Sequence, residues 1–507
     1  MSKTLTLTDI AKGGHKAEAH RPFPRVTVTA DGWRRAVTEL VEARATLLGL
    51  WGDKGCVHMA LIEEPSAKIV VLTLPCPEGK FPSVGALHPP AIRLERAIKD
   101  LYGLKPTGAA DTRPWLDLGF WGVTHPLGAK RRSRTGQQAY AFLPVEGEDL
   151  HQIPVGPVHA GIIEPGHFRF TANGEAVARL EERLGYVHKG IESLMTGASV
   201  DKGAQLAGRT SGDSTVAYAF AYARAVEAAL QIEVPESAVY LRALMAELER
   251  LANHFGDIGA ICNDASFSIL LADFAILRER VLRTAEACFG HRLMMDRIVP
   301  GGVAQDIALE GLAQIPVLIE TVRRKFKELV EVYDNTASLQ DRTVSTGYLS
   351  PTLARAFGAG GYVGRASGRA FDMRKAVRYP PYDALEFEVP VRDDGDVNAR
   401  VWIRIREVEQ SLRLIEQIVK RLPQGPTRVE LPKAGEVREG LGLVEAFRGD
   451  LLVWLRLGPD GRIERCHLRD ASWFQWPLLE ACVEGNIVAD FPLCNKSFNC
   501  SYSGHDL

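Results

Sequence analysis

The stretch from Gly208 to Tyr222 constrains this chain more than any other part of its sequence. It reads Gly-Arg-Thr-Ser-Gly-Asp-Ser-Thr and then Val-Ala-Tyr-Ala-Phe-Ala-Tyr, so a polar turn opens a helix-like apolar run. Ser211 and Ser214 are three residues apart, and side chains at that spacing share one face of a turn or of a helix start. A Cys-x-x-Cys pair at these two positions would hold a soft metal. A serine hydroxyl stays protonated near neutral pH and binds nickel or iron weakly.

Further long motifs flank this stretch in a fixed order. They are Gly156–Pro165, Gly185–Glu192, Glu247–His254, Pro300–Val303 and Arg365–Gly368. In order and spacing they resemble the large subunits of energy-converting (group 4) nickel-iron hydrogenases and the quinone-site large subunit of respiratory complex I. The resemblance covers roughly residues 150 to 507, and several long motifs in one order are far more specific than one short pattern.

The resemblance fails at the metal ligands. The hydrogenases carry Arg-x-Cys-Gly-x-Cys where this chain has Arg209 to Ser214, and Ser-Phe-Asp-Pro-Cys-x-Ser-Cys where it has Ser497 to Gly504. In that register Ser501 and Gly504 replace the second cysteine pair, so all four thiolate positions lack a thiol. The resemblance therefore implies a large subunit with no nickel-iron centre, and no residue is predicted as a metal ligand.

Length and periodicity predict an α+β fold of two units. At 507 residues the chain is long enough for two or three domains. Residues 1–145 are expected to form an α+β domain that resembles the complex I accessory subunit, with strands at Cys56–Ile62 and Lys68–Leu74 and a helix at Leu94–Leu104. Residues 150–507 are expected to form the mainly helical large-subunit domain. Apolar spacing predicts four long helices there, one that begins near Pro235 and three that run over Ser268–Gly290, Ile307–Tyr333 and Val401–Leu422. A β-hairpin is expected around the turn Pro459–Gly461.

Net charge, apolar runs and the distribution of cysteines restrict the kinds of partner and cofactor that are expected. The net charge of −2 gives no reason to expect a nucleic-acid partner. No uncharged apolar run is long enough to cross a bilayer, and Met1–Thr6 lacks the apolar core of a signal peptide, so membrane association is expected through partners only. The eight cysteines are scattered without any Cys-x-x-Cys, which disfavours both a disulfide framework and an iron–sulfur cluster held by this chain.

The candidate catalytic residues come from the resemblance to complex I. His159 matches the histidine at the quinone head group, and Asp264 matches the aspartate paired with it. Such a pair could donate a proton to a reduced quinone. The tyrosine that completes that pocket aligns with Gly212, which leaves one hydroxyl donor missing. The expected cavity lining is Arg209, Ser211, Gly212, Ser214, Ser501 and Gly504.

Several alternatives stay open at this stage. His159 could be a structural histidine held by nearby backbone, and His254 is expected to be a satisfied core histidine. Glu164, Glu192 and Arg365 match charged family positions, and as buried charges they would either line the cavity or form ion pairs. Gly203–Thr210 resembles a phosphate-binding loop, but that motif needs a strand just before it, and the approach from Ile191 continues a helical pattern.

The sequence thus predicts the large subunit of a redox complex on the cytoplasmic side of a membrane. No cofactor is expected in this chain. The resemblance implies a small partner subunit with a four-iron cluster, a ferredoxin-like subunit and antiporter-like membrane subunits, with quinone as an electron acceptor. Electron transfer would be coupled to ion translocation. The alternative is a non-catalytic scaffold or coupling subunit, and a cavity filled by side chains would favour it.

Overall fold

The N-terminal part is a mixed sheet with helices on it. The computed structural model describes residues 7–159 and 163–507. The sheet has the order β1-β3-β6-β5-β4, with β4, β5 and β6 antiparallel and β3 parallel to β6. The elements of the N-terminal part are α1 Leu7–Lys12, β1 His15–Lys16, β2 His20–Arg21, β3 Arg25–Thr27, α2 Ala30–Val41, β4 Thr46–Asp53, β5 Cys56–Glu63, β6 Lys68–Pro75, β7 Lys80–Pro82, α3 Ile92–Tyr102, β8 Lys105–Thr107, β9 Val123–Thr124 and β10 Arg132–Ser133. The two predicted strands and the predicted helix are confirmed, and α3 ends where Gly103 adopts a φ of 71°.

A small antiparallel sheet follows the N-terminal part. It consists of β11 Leu150–Val155, β12 His167–Asn173 and β13 Ala176–Arg183, in that order. Phe168, Phe170 and Leu180 are buried on its inner side. The sequence analysis did not predict these strands, because it used this region for its family motif and did not identify an alternation of apolar and polar residues there.

The centre of the molecule is helical, as predicted. The long helices α7, α8, α9 and α14 pack on one another through the apolar stripes that the spacing indicated. The elements of this part are α4 Ile191–Met195, α5 Val200–Ala207, α6 Thr215–Leu230, α7 Glu236–Asp264, α8 Ser268–Phe289, β14 Ile298–Val299, β15 Gly302–Val303, α9 Leu309–Asn335, α10 Ala337–Thr343, α11 Pro351–Ala356, α12 Gly361–Arg365, α13 Met373–Ala376 and α14 Val397–Arg421. Within the described ranges no helix combines the length and apolar character needed to cross a membrane.

The C-terminal part contains a second sheet and closes the fold. The sheet has the order β18-β17-β16-β2, so a short N-terminal strand pairs in parallel with β16. The predicted hairpin is confirmed as β17 and β18, and β16 is an addition. The elements are β16 Arg438–Ala446, β17 Gly449–Leu457, β18 Ile463–Arg469, α15 Ser472–Val483, α16 Phe491–Phe498 and α17 Tyr502–Asp506. The whole is α+β, as expected, while the division at residues 145–150 stays a prediction.

Helix α6 lies directly on β16, and this contact positions the stretch from Gly208 to Tyr222. A Cβ on Gly440 or Gly442 would fall inside contact distance of the Ala225 or Ala221 carbonyl oxygen. Glycine on the strand and alanine on the helix let the two backbones approach this closely. The N-terminus of α6, preceded by the turn Gly212–Ser214, is therefore fixed against the sheet.

Candidate functional site

A cavity of about 660 Å³ lies where the start of α6 meets α7, α8 and the C-terminal helices α16 and α17. Its wall mixes charged, polar and apolar side chains. They include Ile163, Glu164, Ser211, Gly212, Asp213, Asn253, Phe255, Asp257, Leu271, Arg278, Arg448, Lys496, Asn499, Cys500, Ser501 and Tyr502. Ser211, Gly212 and Ser501, which the sequence predicted as lining residues, are among them.

The structure brings the positions of the missing thiolates together. The Ser501 hydroxyl lies 3.1 Å from the Ser211 hydroxyl and accepts a hydrogen bond from the Gly504 backbone N–H at 2.9 Å. A Cβ on Gly504 would lie 2.7 Å from the Tyr218 hydroxyl and 2.9 Å from Asp470 Oδ2. The fourth thiolate position is therefore occupied by a tyrosine–aspartate hydrogen bond, which is 2.8 Å long.

An ion pair stands among the serines. Arg448 donates to Asp213 Oδ1 at 2.9 Å and to Asp213 Oδ2 at 2.5 Å, and it also donates to the Ser214 hydroxyl at 3.0 Å. Ser211 and Ser214 both donate to Asp213 Oδ1, at 2.7 and 3.1 Å. Burial alone would raise the pKa of Asp213, but the Arg448 charge and these hydrogen bonds hold it well below its ordinary value. Asp213 is thus a fixed anion, and the two serines are its hydrogen-bond donors.

A second charged group lies across the cavity on α7. Asp257 is buried and accepts hydrogen bonds from Arg404 at 3.2 Å and from Asn499 at 2.9 Å. Lys496 Nζ lies 3.7 Å from Asp257 Oδ1 and donates to Asn499 Oδ1 at 3.2 Å. Opposite charges therefore face the cavity from α7 and α16.

A buried carboxyl group lies behind Asp213. Glu249 accepts the Val216 and Ala217 backbone N–H groups, at 2.8 and 3.0 Å, at the start of α6. Burial raises the pKa of Glu249 to about 8, and the nearby charge of Asp213 adds to that rise. Glu249 borders a small void of about 20 Å³ together with Asp213 and Asn253. This carboxyl can therefore gain and lose a proton near neutral pH next to the cavity.

The predicted catalytic pair lies outside the cavity wall. His159 is half-buried, its Nε2 donates to the Gly166 carbonyl oxygen at 2.7 Å, and its ring packs on Phe168. Asp264, near the end of α7, is half-buried, and burial raises its pKa while Lys496 opposes that rise. Among the described residues no hydrogen bond or ion pair joins His159 to Asp264, and neither side chain is part of the cavity wall.

Three other predicted residues also lie outside the wall. Arg209 is exposed and forms a bidentate ion pair with Asp296, because its side chain leaves the turn on the solvent side. Ser214 and Gly504 are buried just behind the lining, in contact with Arg448 and Ser501 respectively. Of the predicted set, Ser211, Gly212, Ser214, Ser501 and Gly504 therefore form one cluster at the cavity, and Arg209, His159 and Asp264 are not part of it.

The alternatives left open by the sequence are resolved for the core charges. His254 is fully buried and its Nε2 lies 2.7 Å from Glu407, which confirms the prediction of a core histidine. Arg365 pairs with Glu407 and Glu445 in the same buried network. Glu192 pairs with Arg465 and His467, and Glu164 is exposed at the cavity rim. Gly203 lies inside helix α5, and the element before α5 is the helix α4 and not a strand, so the phosphate-loop context is missing.

Sequence reasoning missed the charged residues of the site. Asp213, Glu249, Asp257, Arg448 and Lys496 were not singled out. Asp213 lies between the two serines and Asp257 lies one turn after His254 on α7, so their positions carried a signal. Arg448 follows β16, 235 residues from Asp213, and only the tertiary fold places it there.

Comparison with known proteins matches both parts of the chain. The family described as "Respiratory-chain NADH dehydrogenase, 49 Kd subunit" matches residues 265–439, and the corresponding 30 Kd subunit family matches residues 26–134. Formate hydrogenlyase subunit 5 of Escherichia coli is 34% identical over 84% of this chain and 77% of its own length. A subunit of the NADH-quinone oxidoreductase of Desulfotalea psychrophila is 34% identical over 68% of this chain and 93% of its own length.

A solved structure is similar as well. A chain of the membrane-bound sulfane sulfur reductase, an archaeal respiratory membrane complex, superposes with a TM-score of 0.67. The two sequences are 27% identical, and the match covers 72% of this chain and all of the other. These relatives are subunits of formate hydrogenlyase, NADH-quinone oxidoreductase and respiratory membrane complexes.

Proposed function

From its membership of the family that joins the 49 Kd subunit of respiratory NADH dehydrogenase with the large subunits of energy-converting hydrogenases, we propose a function for this chain. An organic electron acceptor binds in its cavity and is reduced there. The chemical class is a quinone-like molecule. It would take up two electrons and two protons and leave as the quinol. The chain is then the oxidoreductase subunit that carries the acceptor site.

The open, mixed-polarity cavity is the observation that carries this proposal. A scaffold that had lost its chemistry would gain stability by filling a space of about 660 Å³ with side chains, since unfilled volume is destabilising. Here the space stays open between the Asp213–Arg448 pair and Lys496, with Phe255 and Leu271 beside them. Fixed charged and polar groups beside apolar side chains suit a flat organic head group that carries polar oxygens.

A nickel-iron centre does not fit the same residues. Three of its four thiolate positions are serines, and the fourth has no room for a Cβ beside Tyr218 and Asp470. Cys500 lines the cavity, but burial raises its pKa well above the ordinary value, which favours the thiol over the metal-binding thiolate. The proposed chemistry therefore uses no metal in this cavity.

Electrons and protons would reach the cavity from different sides. We assign the electrons to a partner subunit with a four-iron cluster, because this chain offers no Cys-x-x-Cys for one. His159 and Asp264, which lie outside the cavity wall, and Glu249 behind Asp213 are the groups proposed to pass protons. A ferredoxin-like subunit and antiporter-like membrane subunits complete the proposed complex. It would lie on the cytoplasmic side and couple this reaction to ion translocation.

Filling the cavity tests the proposal. A Cβ on Gly212 meets no atom within 4 Å, so Gly212→Phe should place a ring in the open space without disturbing the fold. In the assembled complex we expect acceptor-dependent turnover to fall at least about tenfold while the amount of assembled complex is unchanged. Leu309→Phe, at a side chain that is 82% exposed, is the control and should keep wild-type turnover.

The scaffold alternative gives a different result. If this chain only couples other subunits, Gly212→Phe will support the same turnover as the wild type and as Leu309→Phe. That outcome would overturn the assignment of the acceptor site to this cavity.

A further inference from the structure

The hairpin of β4 and β5 places three metal-binding groups on one face. Asp53 ends β4 and is paired in register with Cys56, the first residue of β5, across the turn Lys54–Gly55. Residues directly opposite each other in an antiparallel pair share a face, and so do residues two apart on one strand. Asp53, Cys56 and His58 therefore project to the same side of the hairpin.

The donor atoms have the spacing of a tetrahedral zinc site. His58 Nε2 lies 3.6 Å from Cys56 Sγ and 3.7 Å from Asp53 Oδ2, and all three donor atoms lie within 4.8 Å of one another. Zinc bonds of about 2.3 Å to sulfur and about 2.0–2.1 Å to nitrogen and oxygen put tetrahedral ligand atoms roughly 3.4–3.6 Å apart. An ion fits between the three atoms after shifts of a few tenths of an ångström.

The histidine is oriented as a ligand. His58 is buried, and its Nδ1 lies 2.9 Å from the Thr73 hydroxyl oxygen, which can accept the Nδ1 proton. That tautomer leaves the Nε2 lone pair directed at Cys56 and Asp53. A second hydrogen bond of this kind is the usual support of a metal-bound imidazole. Burial lowers the pKa of His58 to about 4, so the ring is neutral at neutral pH.

The charges around the three groups balance a divalent cation. Arg456 pairs with Asp53 at 2.5 Å and is itself paired with Glu464 at 2.9 Å. Arg25 faces Thr73 and is paired with Glu439. With Cys56 as thiolate, the ion, Asp53, Cys56, Arg456 and Glu464 sum to zero. Burial raises the pKa of Cys56 to about 12, so binding would release its proton to solvent.

We propose that Asp53, Cys56 and His58 bind a zinc ion, with a water molecule completing the tetrahedron. The donor set of one thiolate, one imidazole and one carboxylate suits zinc. Cys56 is half-buried, which gives the ion a route from solvent. The ring of His58 lies 5.1 Å from that of Trp454 on β17, so the proposed site lies beside the contact between the N-terminal hairpin and the C-terminal sheet. Sequence analysis assigned no metal ligand, because Asp-x-x-Cys-x-His acquires this geometry only in a hairpin.

Zinc and cobalt binding to the full chain tests the proposal. Wild-type protein dialysed against Zn²⁺ and then against buffer should retain about one zinc ion per chain. Co²⁺ should give thiolate-to-cobalt charge-transfer and tetrahedral d–d absorption. Cys56→Ala and His58→Gln should each weaken zinc binding by about 10–100-fold or more. A chelator should lower the Tm of the wild type but not of these variants.

Two matched variants serve as controls. Cys288→Ala removes another buried thiol, whose pKa burial also raises to about 12. His88→Gln removes another buried histidine of the N-terminal part, whose pKa burial lowers to about 4. Both should retain the zinc ion. A wild-type chain that retains no zinc and gives no cobalt charge-transfer band would overturn the proposal, even if the ligand variants fail to fold. Wild-type affinity in folded Cys56→Ala would overturn it as well.

Discussion

Each serine at a missing thiolate position has a new partner that suits a hydroxyl. Asp213 Oδ1 accepts hydrogen bonds from Ser211 and Ser214, and Ser501 contacts Ser211. Two thiolates at the same positions would set like charges about 3 Å from this carboxylate, which is strongly unfavourable in a buried site. Asp213 and the serines therefore belong together, and the Arg448 charge completes the group.

A single substitution tests the proposed role of His159 in proton transfer. Replacing His159 by Ala should lower acceptor reduction in the assembled complex by about 10²–10⁴-fold, because general acid–base catalysis typically contributes that much. His151→Ala removes an exposed histidine of β11 and should have no effect. If turnover in His159→Ala equals the wild type, this histidine only holds the Gly166 carbonyl.

Glu249 predicts a pH dependence of stability. Its pKa is raised from 4.5 to about 8 in the folded chain, so between these values the folded chain keeps a proton that the unfolded chain releases. The stabilising contribution is full below pH 4.5 and falls by about 1.4 kcal/mol per pH unit up to about pH 8. Glu249→Gln loses one of the two oxygens that accept the Val216 and Ala217 N–H groups but cannot ionise, so its Tm should lie below that of the wild type at pH 5, with the gap narrowing towards pH 8.

A matched substitution distinguishes the pH dependence caused by Glu249 from the effect of removing any carboxylate. Glu236→Gln removes an exposed carboxylate from the first turn of α7 and should give a Tm difference that hardly changes between pH 5 and 8. A gap for Glu249→Gln that is constant over the same range would mean that Glu249 is ionised throughout.

At the scale of elements, the contact of α6 with β16 sets the position of the site. Gly442→Ala should push the helix off the strand, because the new Cβ would overlap the Ala221 carbonyl oxygen. Overpacking of this kind costs about 1–3 kcal/mol or more, so the Tm should fall by several degrees. Gly212→Ala is the control, since its Cβ would meet open space and the change should stay within about 0.5 kcal/mol. Equal Tm values for the two variants would mean that the backbones are not in close contact.

The long elements could be predicted from the sequence, and the short strands could not. Helix α8 was expected at Ser268–Gly290 and ends one residue earlier, because its apolar spacing runs for several turns. Strands β16 and β11 escaped prediction because β16 is buried along nearly its whole length and β11 has no buried residue, so neither gives an alternating apolar pattern. The four positions without a thiolate were predicted from the resemblance to the hydrogenases, whereas Arg448 reaches Asp213 and Ser214 through tertiary packing alone.

At the scale of the whole molecule, buried ion pairs join its two ends. Arg93 of α3 pairs with Glu182 and Glu480, and Arg469 of β18 donates to the Leu48 carbonyl oxygen of β4. Buried pairs of this kind are costly to break one partner at a time. The N-terminal part is therefore held on the C-terminal sheet, and the cavity is shaped by residues from both the middle and the end of the chain.

We expect metal content to distinguish this chain from a nickel-bearing large subunit. Purified without partners as Cys56→Ala, so that the proposed Asp53 zinc site lacks its thiol, and dialysed against Ni²⁺ or Fe²⁺, it should retain neither ion in stoichiometric amount. Serine hydroxyls bind these metals weakly, and a thiol side chain at Gly504 would collide with the Tyr218 hydroxyl. Without that substitution the Asp53 site could itself take up nickel, because a Cys–His–Asp donor set also suits that ion. Stoichiometric nickel in the wild type that is lost on Ser211→Ala would show that the cavity still binds the metal.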